Sequence, residues 1–547
     1  MMPIFFHIES HLWIAYLFFF NGVLAQALLR SYSVSYSSLT IPFEAQVLAA
    51  FFISISLNGA LLLGLDLLDK PFSLMANILL LISIVLALLF FFRARSGLFN
   101  AMTRLDIGVW RIVLYGAVFV VLFYNGGLIE QSSDAWWHMS LANKLGIESS
   151  FGFDAAHLNG IHERYYPPLW HGNLALATSI SDISLPVFWN SFTAWGAVIK
   201  VMGFYLFAFS LTRSVAVATL SSILFVLLPG QGVSYLRVSA WPSHIAYTAF
   251  FALYYVIFSI LDSLREGNNH ISNIRQQIVM ILVLLALVAI VYLSHQVELV
   301  WFVAGLLFYI VGICVLNVLV PSRADQIESE RAILKLGMSL IVALVIAAGV
   351  WQLIDKWGSI QKSYDLMIAS IYPVAFLSFI FYTLLRRTFG NIDERSVIEI
   401  SVLVAFGFLL VFMVDVRQLL SLFKPELAYP ISLYSEYPVA AKGLFGHELS
   451  LPGWHLQLRP GLLFSGFLSI PISFGLAYWK TNRATVFLAS ASILSFLILL
   501  SPYLYEWLRQ ILNYNSAYRI SILIFHPIVF SLLIKLCWNE VIRVGEN

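Results

Sequence analysis

The feature that most constrains this chain is a succession of apolar runs, each about as long as a helix that crosses a membrane. Crossing the hydrocarbon core of a bilayer takes about 20 mostly apolar residues in helical form. The sequence contains roughly fifteen stretches of that length. Among them are residues 11–29, 43–65, 74–92, 107–125, 185–211, 243–263, 277–294, 298–320 and 519–537. Nearly the whole chain is therefore expected to lie in lipid.

Composition supports a membrane protein built from helices. Of the 547 residues, 60% are hydrophobic and only 11% are charged, which excludes an ordinary soluble globular protein. The runs lack the alternation of a membrane β-barrel, so an α-helical bundle is the expected architecture. A net charge of +2 gives no indication of a nucleic-acid partner, and none is expected. Cys314 and Cys537 lie in predicted spans, which argues against a disulfide framework or a thiolate metal site.

Basic residues predict the orientation of the chain in the membrane, because they collect on the cytoplasmic side. The densest basic connector carries Arg93, Arg95, Arg104 and Arg111, so we place it inside. The following span, 107–125, then ends at the outer face, so residues 125–184 form an outer loop. Further outer loops are expected at 230–242 and 415–459, with the N-terminus outside and the C-terminus inside. We expect an integral protein of a bacterial inner membrane whose active site faces the periplasm or the exterior.

Residues 167–182 decide this topology. The stretch begins at Pro167 and Pro168, and its apolar part is too short and too polar for a convincing span. If it crosses the membrane, every later basic loop falls outside; if it lies on the outer interface, those loops fall inside, as the charge rule favours. We therefore predict an all-α integral membrane protein of about 15 transmembrane helices, with a juxtamembrane helix in the first large outer loop.

The predicted outer side also collects the unusual polar residues. Ionisable groups at or within a membrane are costly, which makes them candidates for function. Histidine and aromatic side chains are also common as anchors at the membrane interface, so each one alone has a structural explanation. The candidates are Asp134, His138, His171, Arg237, His244, Glu298, His455 and Arg519.

Three segments of the chain carry a recognisable order of motifs. They are SSDAWWHMSLANKLG (132–146), RYYPPLWHGNLALA (164–177) and FVLLPGQGVSYLRVSAWPSHIAYTAFFALYY (225–255). Their order and sidedness resemble the glycosyltransferase-C superfamily, which includes the catalytic subunit of oligosaccharyltransferase, the protein O-mannosyltransferases and the aminoarabinose transferases. In that superfamily an acidic motif opens the first large outer loop and a proline segment leads into a juxtamembrane helix. Near the end, the segment NYNSAYRISILIF (513–525) places Arg519 where relatives in that superfamily carry an arginine that binds the donor's phosphate.

The resemblance implies that the chain is divided into three regions. Residues 1–104 would be additional N-terminal transmembrane helices, and residues 105–300 the glycosyltransferase-C-like core with outer loops 125–184 and 230–242. Residues 301–547 would be C-terminal transmembrane helices with outer loop 415–459. One departure is clear: relatives of the oligosaccharyltransferase type carry a second acidic motif where this chain has no carboxylate, within 225–255. A divalent metal ion is therefore left open.

The implied activity is transfer of a sugar from a polyprenyl-phosphate donor to a cell-envelope glycan, lipid or protein at the outer face, with inversion. Displacing a phosphate needs a base for the acceptor's proton and cations for the departing charge. Asp134 would be the base, and Arg237 and Arg519 would bind the donor phosphate, since a guanidinium group suits phosphate oxygens. Substrate binding or proton transfer would fall to His138, His171, His244, Glu298, His455, Trp137, Tyr166 and Trp241.

Two other classes of protein remain as alternatives. A transporter or flippase of ions or lipid-linked glycans would show internal repeats and polar groups near the membrane midplane, whereas the polar residues here collect on one predicted side. An O-antigen-type polymerase or ligase would depend most on the late loop 415–459. The chain has no Walker A loop, no GxGxxG motif before a helix and no HExxH motif. A structural scaffold would leave Asp134, Arg237 and Arg519 unexplained.

Overall fold

The structure, a computed structural model, is helical apart from two short strand pairs. It describes residues 5–32, 42–93, 108–124, 133–148, 153–154, 162–163, 167–228, 236–265, 274–319, 441–442, 448–449, 460–500 and 518–545. These residues fall into two compact units. Unit 1 comprises Met1–Leu227, Tyr235–Ser259 and Asn269–Leu299, and unit 2 comprises Leu228–Ser234, Ile260–Asn268 and Val300–Asn547. The division at residues 104 and 300 expected from the sequence stays a prediction.

The described helices follow the apolar runs of the sequence. They are α1 (Phe5–Ala15), α2 (Asn21–Tyr32), α3 (Phe43–Leu67), α4 (Met75–Arg93), α5 (Val109–Tyr124), α6 (Ser133–Glu148), α7 (Leu169–Ser181), α8 (Leu185–Thr212), α9 (Val215–Leu227), α10 (Pro242–Arg265), α11 (Ile274–Ser294), α12 (Val297–Leu319), α13 (Pro460–Trp479), α14 (Arg483–Leu500) and α15 (His526–Gly545). A π-helical turn, Tyr16–Phe20, joins α1 to α2, and 3₁₀ turns cover Phe72–Leu74, Leu236–Val238 and Tyr518–Leu523.

The strands are two residues long and form two antiparallel pairs. β1 (Phe153–Asp154) pairs with β2 (His162–Glu163), with Phe153 opposite Glu163. β3 (Ala441–Lys442) pairs with β4 (Glu448–Leu449), with Ala441 opposite Leu449. The first pair lies in the predicted outer loop 125–184 and the second in the predicted outer loop 415–459.

Seven helical stretches among the described residues are long and apolar enough to cross a membrane. They are Ile8–Leu28, Phe43–Leu67, Phe72–Phe92, Leu185–Thr212, Pro242–Asp262, Val297–Leu316 and Arg519–Asn539. The predicted spans 107–125 and 277–294 correspond to shorter apolar helices, Val109–Phe123 and Leu282–Ser294. The prediction of a helical integral membrane protein is confirmed. The total of about 15 spans stays a prediction, because residues 320–440 lie outside the described part of the chain.

Unit 1 is built around α8, a helix of 28 residues that is buried along most of its length. α5 runs antiparallel to it, since Arg111 lies over the ring of Tyr205 while Val118 packs near Ala197. α10 runs parallel to α8, since Gly196 meets Ser239 and Gly203 meets Thr248. α10 therefore begins beside the middle of α8. A helix rises 1.5 Å per residue, so Lys200 lies about 22 Å along the axis from Leu185.

The predicted juxtamembrane helix exists as α7, but its surroundings differ from the prediction. Proline suits the start of a helix, and α7 follows Pro167 and Pro168 directly and ends before Asp182, which is in the left-handed region. Its 13 residues span about 20 Å, less than the roughly 30 Å of a hydrocarbon core. An interfacial helix would expose one face, whereas residues 169–177 are all buried. α7 is enclosed by α3, α6, α8 and α11.

Unit 2 is held by helix contacts that involve α12 to α15. Gly312 of α12 lies against Ser490 of α14, which brings these two helices close together. Arg483 at the start of α14 donates to Asp262 at a distance of 2.5 Å. Arg519 lies in the 3₁₀ turn that packs on α14 and precedes α15.

Candidate functional site

Three segments that are distant in sequence meet against α8 in unit 1. α6 contributes His138, α7 contributes His171, and the start of α10 contributes Trp241 and His244. Together with Lys200 of α8 these five residues form what we call the histidine cluster. Four of its members are buried, with exposed fractions of 4% for His138, 1% for His171, 4% for His244 and 0% for Lys200. The convergence brings parts of all three predicted motif segments into one place.

His138 and His171 are joined by a direct hydrogen bond. The Nδ1 atom of His138 lies 3.0 Å from the Nε2 atom of His171. The Nδ1 atom of His171 lies 3.2 Å from the carbonyl oxygen of Pro167. This second contact follows from local sequence, because the two prolines start the helix and leave the Pro167 carbonyl one turn before His171. The pair thus links α6 to the first turn of α7.

Indole rings surround His138 and restrict its orientation. The ring of Trp189, on α8, is stacked on that of His138 with an interplanar angle of 18°. Trp137 and Trp241 contact the same imidazole at tilted or edge-on angles. The indole nitrogen of Trp170, on α7, donates to the carbonyl of Ala240 at 2.6 Å and so holds the turn before α10 against α7. Trp137 and Trp241, which the sequence analysis assigns to substrate binding or proton transfer, therefore also shape the cluster.

Lys200 of α8 contacts His244 of α10 within the cluster. Its Nζ atom lies 2.5 Å from the Nδ1 atom of His244. This hydrogen bond joins the middle of α8 to the first turn of α10. The close approach depends on Gly196, where a Cβ atom would lie 2.6 Å from the carbonyl oxygen of Ser239. Sequence reasoning gave Lys200 no role.

The structure describes the positions of four of the remaining predicted site residues. Asp134 lies in the first turn of α6, one turn before His138. Arg237 lies in the 3₁₀ turn that precedes α10. Arg519 is partly buried and belongs to unit 2. Trp137 is half-buried on α6. Tyr166 and His455 lie outside the described residues.

Glu298 has a partner that the sequence did not indicate. Its buried carboxylate accepts a hydrogen bond from the Nδ1 atom of His295 at the junction of α11 and α12. Glu298, predicted to lie on the outer side, thus contacts a histidine three residues before it. Within the described part of the chain, no group of three or more His, Cys, Asp or Glu side chains is arranged to hold a metal ion.

A second buried polar group in unit 1 involves Arg111. The sequence placed Arg111 at the end of the inner basic connector and within the predicted span 107–125; it belongs to α5 and is 6% exposed. Its Nη1 atom donates to both carboxylate oxygens of Glu44, at 2.9 and 3.1 Å. The Tyr115 hydroxyl also donates to Glu44, at 2.9 Å. Arg111 is thus part of an ion pair between α3 and α5 that the sequence did not indicate.

Comparisons with known proteins assign the chain to a family. A family profile described as "Family of unknown function (DUF6541)" matches residues 42–420, which is more than half of the chain. The chain belongs to the DUF6541 family. No curated protein matches this DUF6541 sequence.

Among solved structures, the DUF6541 chain is similar to an archaeal oligosaccharyltransferase, AglB from Archaeoglobus fulgidus, in complex with an inhibitory peptide and a dolichol-phosphate. The two are 14% identical, with a TM-score of 0.46. The match covers 80% of the DUF6541 chain and 52% of AglB, so the chain corresponds to about half the length of that enzyme.

Proposed function

We propose that this DUF6541 protein is a membrane glycosyltransferase that moves a sugar from a polyprenyl-phosphate donor to a glycan, lipid or protein acceptor at the outer face of the membrane. The observation that carries the proposal is the histidine cluster. Apart from Lys200, its residues come from the segments 132–146, 164–177 and 225–255, on which the resemblance to the glycosyltransferase-C superfamily depends. Segments separated by up to about a hundred residues converge on one face of α8.

The chemistry of the residues supports a displacement at a phosphate-bearing carbon. Asp134 would accept the proton of the acceptor group, from the first turn of α6 beside the cluster. Arg237 and Arg519 would bind the donor phosphate, as the resemblance implies. Lys200 lies next to His244, where its protonated amine would stabilise charge that develops on the leaving phosphate. A single carboxylate acting directly favours one displacement, with inversion at the sugar carbon.

The depth of the cluster favours a lipid-linked donor. Lys200 lies in the middle of α8, which is long enough to cross a membrane. A phosphate that reaches this level from a polyprenyl chain would keep its lipid tail among apolar helices. A nucleotide sugar arriving from water would bring a bulky polar base to the same depth, at a high desolvation cost.

The test is sugar transfer by the purified protein in lipid, with a panel of polyprenyl-phosphate sugars. Asp134→Asn should reduce kcat by at least about 10²-fold, because the amide cannot accept the proton. The matched control is Asp182→Asn. Asp182 is exposed and in the left-handed region, with φ of 56°, a conformation that asparagine tolerates well, so this variant should transfer sugar like the wild type.

Two outcomes would contradict the proposal. Undiminished transfer by a folded Asp134→Asn variant would remove Asp134 from the mechanism. No transfer with any donor, together with ion or lipid-linked glycan flux in proteoliposomes, would favour the transporter class instead.

A further inference from the structure

We propose that His138 is a pre-oriented proton acceptor of the site, with its basic lone pair on Nε2, and that His171 is a positioning residue that fixes this tautomer. The sequence indicated only that these histidines bind substrate or assist proton transfer. The hydrogen-bond partners of the two rings determine which nitrogen of His138 carries a proton. That the proton accepted by His138 comes from the sugar acceptor rests on the proposed function, whereas the assignment of the tautomer does not.

The first step concerns His171. A carbonyl oxygen only accepts, so the contact between the Pro167 carbonyl and His171 Nδ1 requires a proton on that nitrogen. A neutral imidazole carries one N–H, and the Nε2 atom of His171 is therefore an acceptor. The contact is local and follows from the Pro-Pro start of α7, because the carbonyl of Pro167 lies one turn before His171.

The second step carries the assignment to His138. Its Nδ1 atom lies 3.0 Å from His171 Nε2, which is the acceptor, so His138 donates through Nδ1. The same rule of one N–H per neutral ring then leaves Nε2 of His138 as the basic nitrogen. A chain of two donated hydrogen bonds, ending on a backbone carbonyl, thus determines which nitrogen of His138 can accept a proton.

Packing keeps the His138 ring in this orientation. The side chain is 4% exposed and stacks on Trp189, with Trp137 and Trp241 against its other sides. Turning the ring by 180° about its Cβ–Cγ bond would put the Cδ2 carbon in the place of Nδ1, break the bond to His171 and disturb these contacts. A base held by a second group in this way matches the general arrangement by which a side chain is prepared for proton transfer.

The proton balance in the proposed reaction is simple. The acceptor oxygen forms its bond to the sugar carbon as the bond from that carbon to the phosphate oxygen breaks, and the phosphate leaves with the electron pair. The hydroxyl proton passes to the Asp134 carboxylate and then to Nε2 of His138, because imidazole is ordinarily more basic than a carboxylate. The resulting imidazolium keeps its Nδ1–H bond to His171, and Asp134 becomes a carboxylate again.

Two substitutions at one position separate positioning from packing. Glutamine at position 171 presents an acceptor oxygen near the place of Nε2, whereas phenylalanine keeps a ring but removes the acceptor. The first measurement is ¹⁵N NMR of histidine-labelled protein in bilayers, with His138 assigned by comparison with His138→Gln. We expect His138 to be protonated on Nδ1 in the wild type and in His171→Gln, and to lose this single state in His171→Phe.

The second measurement is transfer. His171→Phe should lower kcat by about 10²- to 10⁴-fold with little change in the KM for the donor, the behaviour expected when a base adopts the wrong tautomer. His171→Gln should stay within about tenfold of wild type. As a control outside the cluster, His11→Phe removes a hydrogen bond from Trp195 and should leave kcat near the wild-type value.

The inference is overturned if wild-type His138 carries its proton on Nε2, or if the Gln and Phe variants at position 171 lose kcat equally. The NMR result is independent of any transfer reaction. An Nδ1-protonated His138 in a protein that transfers no sugar would therefore reject the proposed function and leave the tautomer assignment intact.

Discussion

Lys200 is an ionisable side chain in an otherwise apolar helix, with an exposed fraction of 0%. Ionisable residues inside a membrane bundle are costly, and those that persist usually serve a function. Its contact with His244 links α8 to the start of α10, beside the rings of the histidine cluster.

We predict that Lys200→Met lowers transfer by about 10²-fold or more, chiefly by removing a donor that stabilises the leaving phosphate. Methionine has a similar length and no charge, so the packing of α8 should change little. The measurement is the rate of sugar transfer at saturating donor, compared with Lys70→Met. Lys70 is exposed, and its variant should match the wild type. Equal rates for both variants would exclude Lys200 from the reaction.

At the scale of single residues, the sequence predicted part of the candidate site. His138, His171 and His244 were identified because polar residues are rare in this chain and these three lie within motifs. The pairing of His138 with His171 was not predictable, since it depends on how α6 and α7 pack. Lys200 was missed although its mid-span position was a usable signal. The ion pair of Arg111 was not predictable either, since its partner Glu44 lies 67 residues earlier in the chain.

At the scale of elements, the parallel packing of α8 and α10 places the cluster. Gly196 permits it, because a Cβ atom there would lie 2.6 Å from the carbonyl oxygen of Ser239 and 3.0 Å from the ring of Phe192. A backbone oxygen cannot move aside as a flexible side chain can. The turn before α10 can therefore approach α8 this closely only next to a glycine.

We predict that Gly196→Ala displaces the start of α10, separates Lys200 from His244 and lowers transfer by at least about tenfold, with a destabilisation of about 1–3 kcal/mol typical of overpacking. The matched control is Gly116→Ala on α5, where a Cβ atom meets nothing within 4 Å. Transfer and the apparent Tm would be measured for both. A Gly196→Ala protein with wild-type transfer would show that the close approach is not needed.

The sequence predicted the existence of most described helices but not which of their faces are buried. In water, an apolar stripe marks the inner face of a helix, but in lipid both faces are apolar and this signal is weak. α4 and α8 are both long and apolar enough to cross a membrane. α8 is buried along most of its length, whereas α4 exposes several large side chains, namely Leu80, Leu81, Ile84, Val85, Leu88, Leu89, Phe91 and Phe92.

At the scale of the whole molecule, the ion pair between Glu44 and Arg111 contributes to the stability of unit 1. Glu44 is fully buried and accepts from both Arg111 and Tyr115, so it ties the start of α3 to α5. Removing one partner of a buried ion pair leaves the other charge without compensation, at a cost of about 3–5 kcal/mol. Removing both charges avoids this penalty.

We predict that Arg111→Met lowers the apparent Tm of the protein in detergent, and that the double variant Glu44→Gln, Arg111→Met recovers most of the loss. The glutamine can still accept a hydrogen bond from Tyr115. Thermal unfolding of the wild type, the single variant and the double variant measures both effects. A double variant less stable than Arg111→Met would indicate that the pair is not coupled as described.

The membrane class of the protein could be predicted from the sequence because the length of apolar runs is set by bilayer thickness. The division into two units could not, since it depends on contacts between helices that are distant in sequence. The predicted boundaries at 104 and 300 followed a resemblance and have no physical signal in composition. The spans expected between residues 320 and 440 stay predictions.

The burial of α7 has a consequence for biogenesis. Its 13 residues are too few for the translocon to insert as an independent span, yet the native protein encloses them between helices made before and after it. α7 must therefore enter the bundle after α3 and α8 are already in the bilayer. Because α10 is synthesised later still, we expect the nascent chain to carry no assembled histidine cluster until its first 250 residues or so have been inserted.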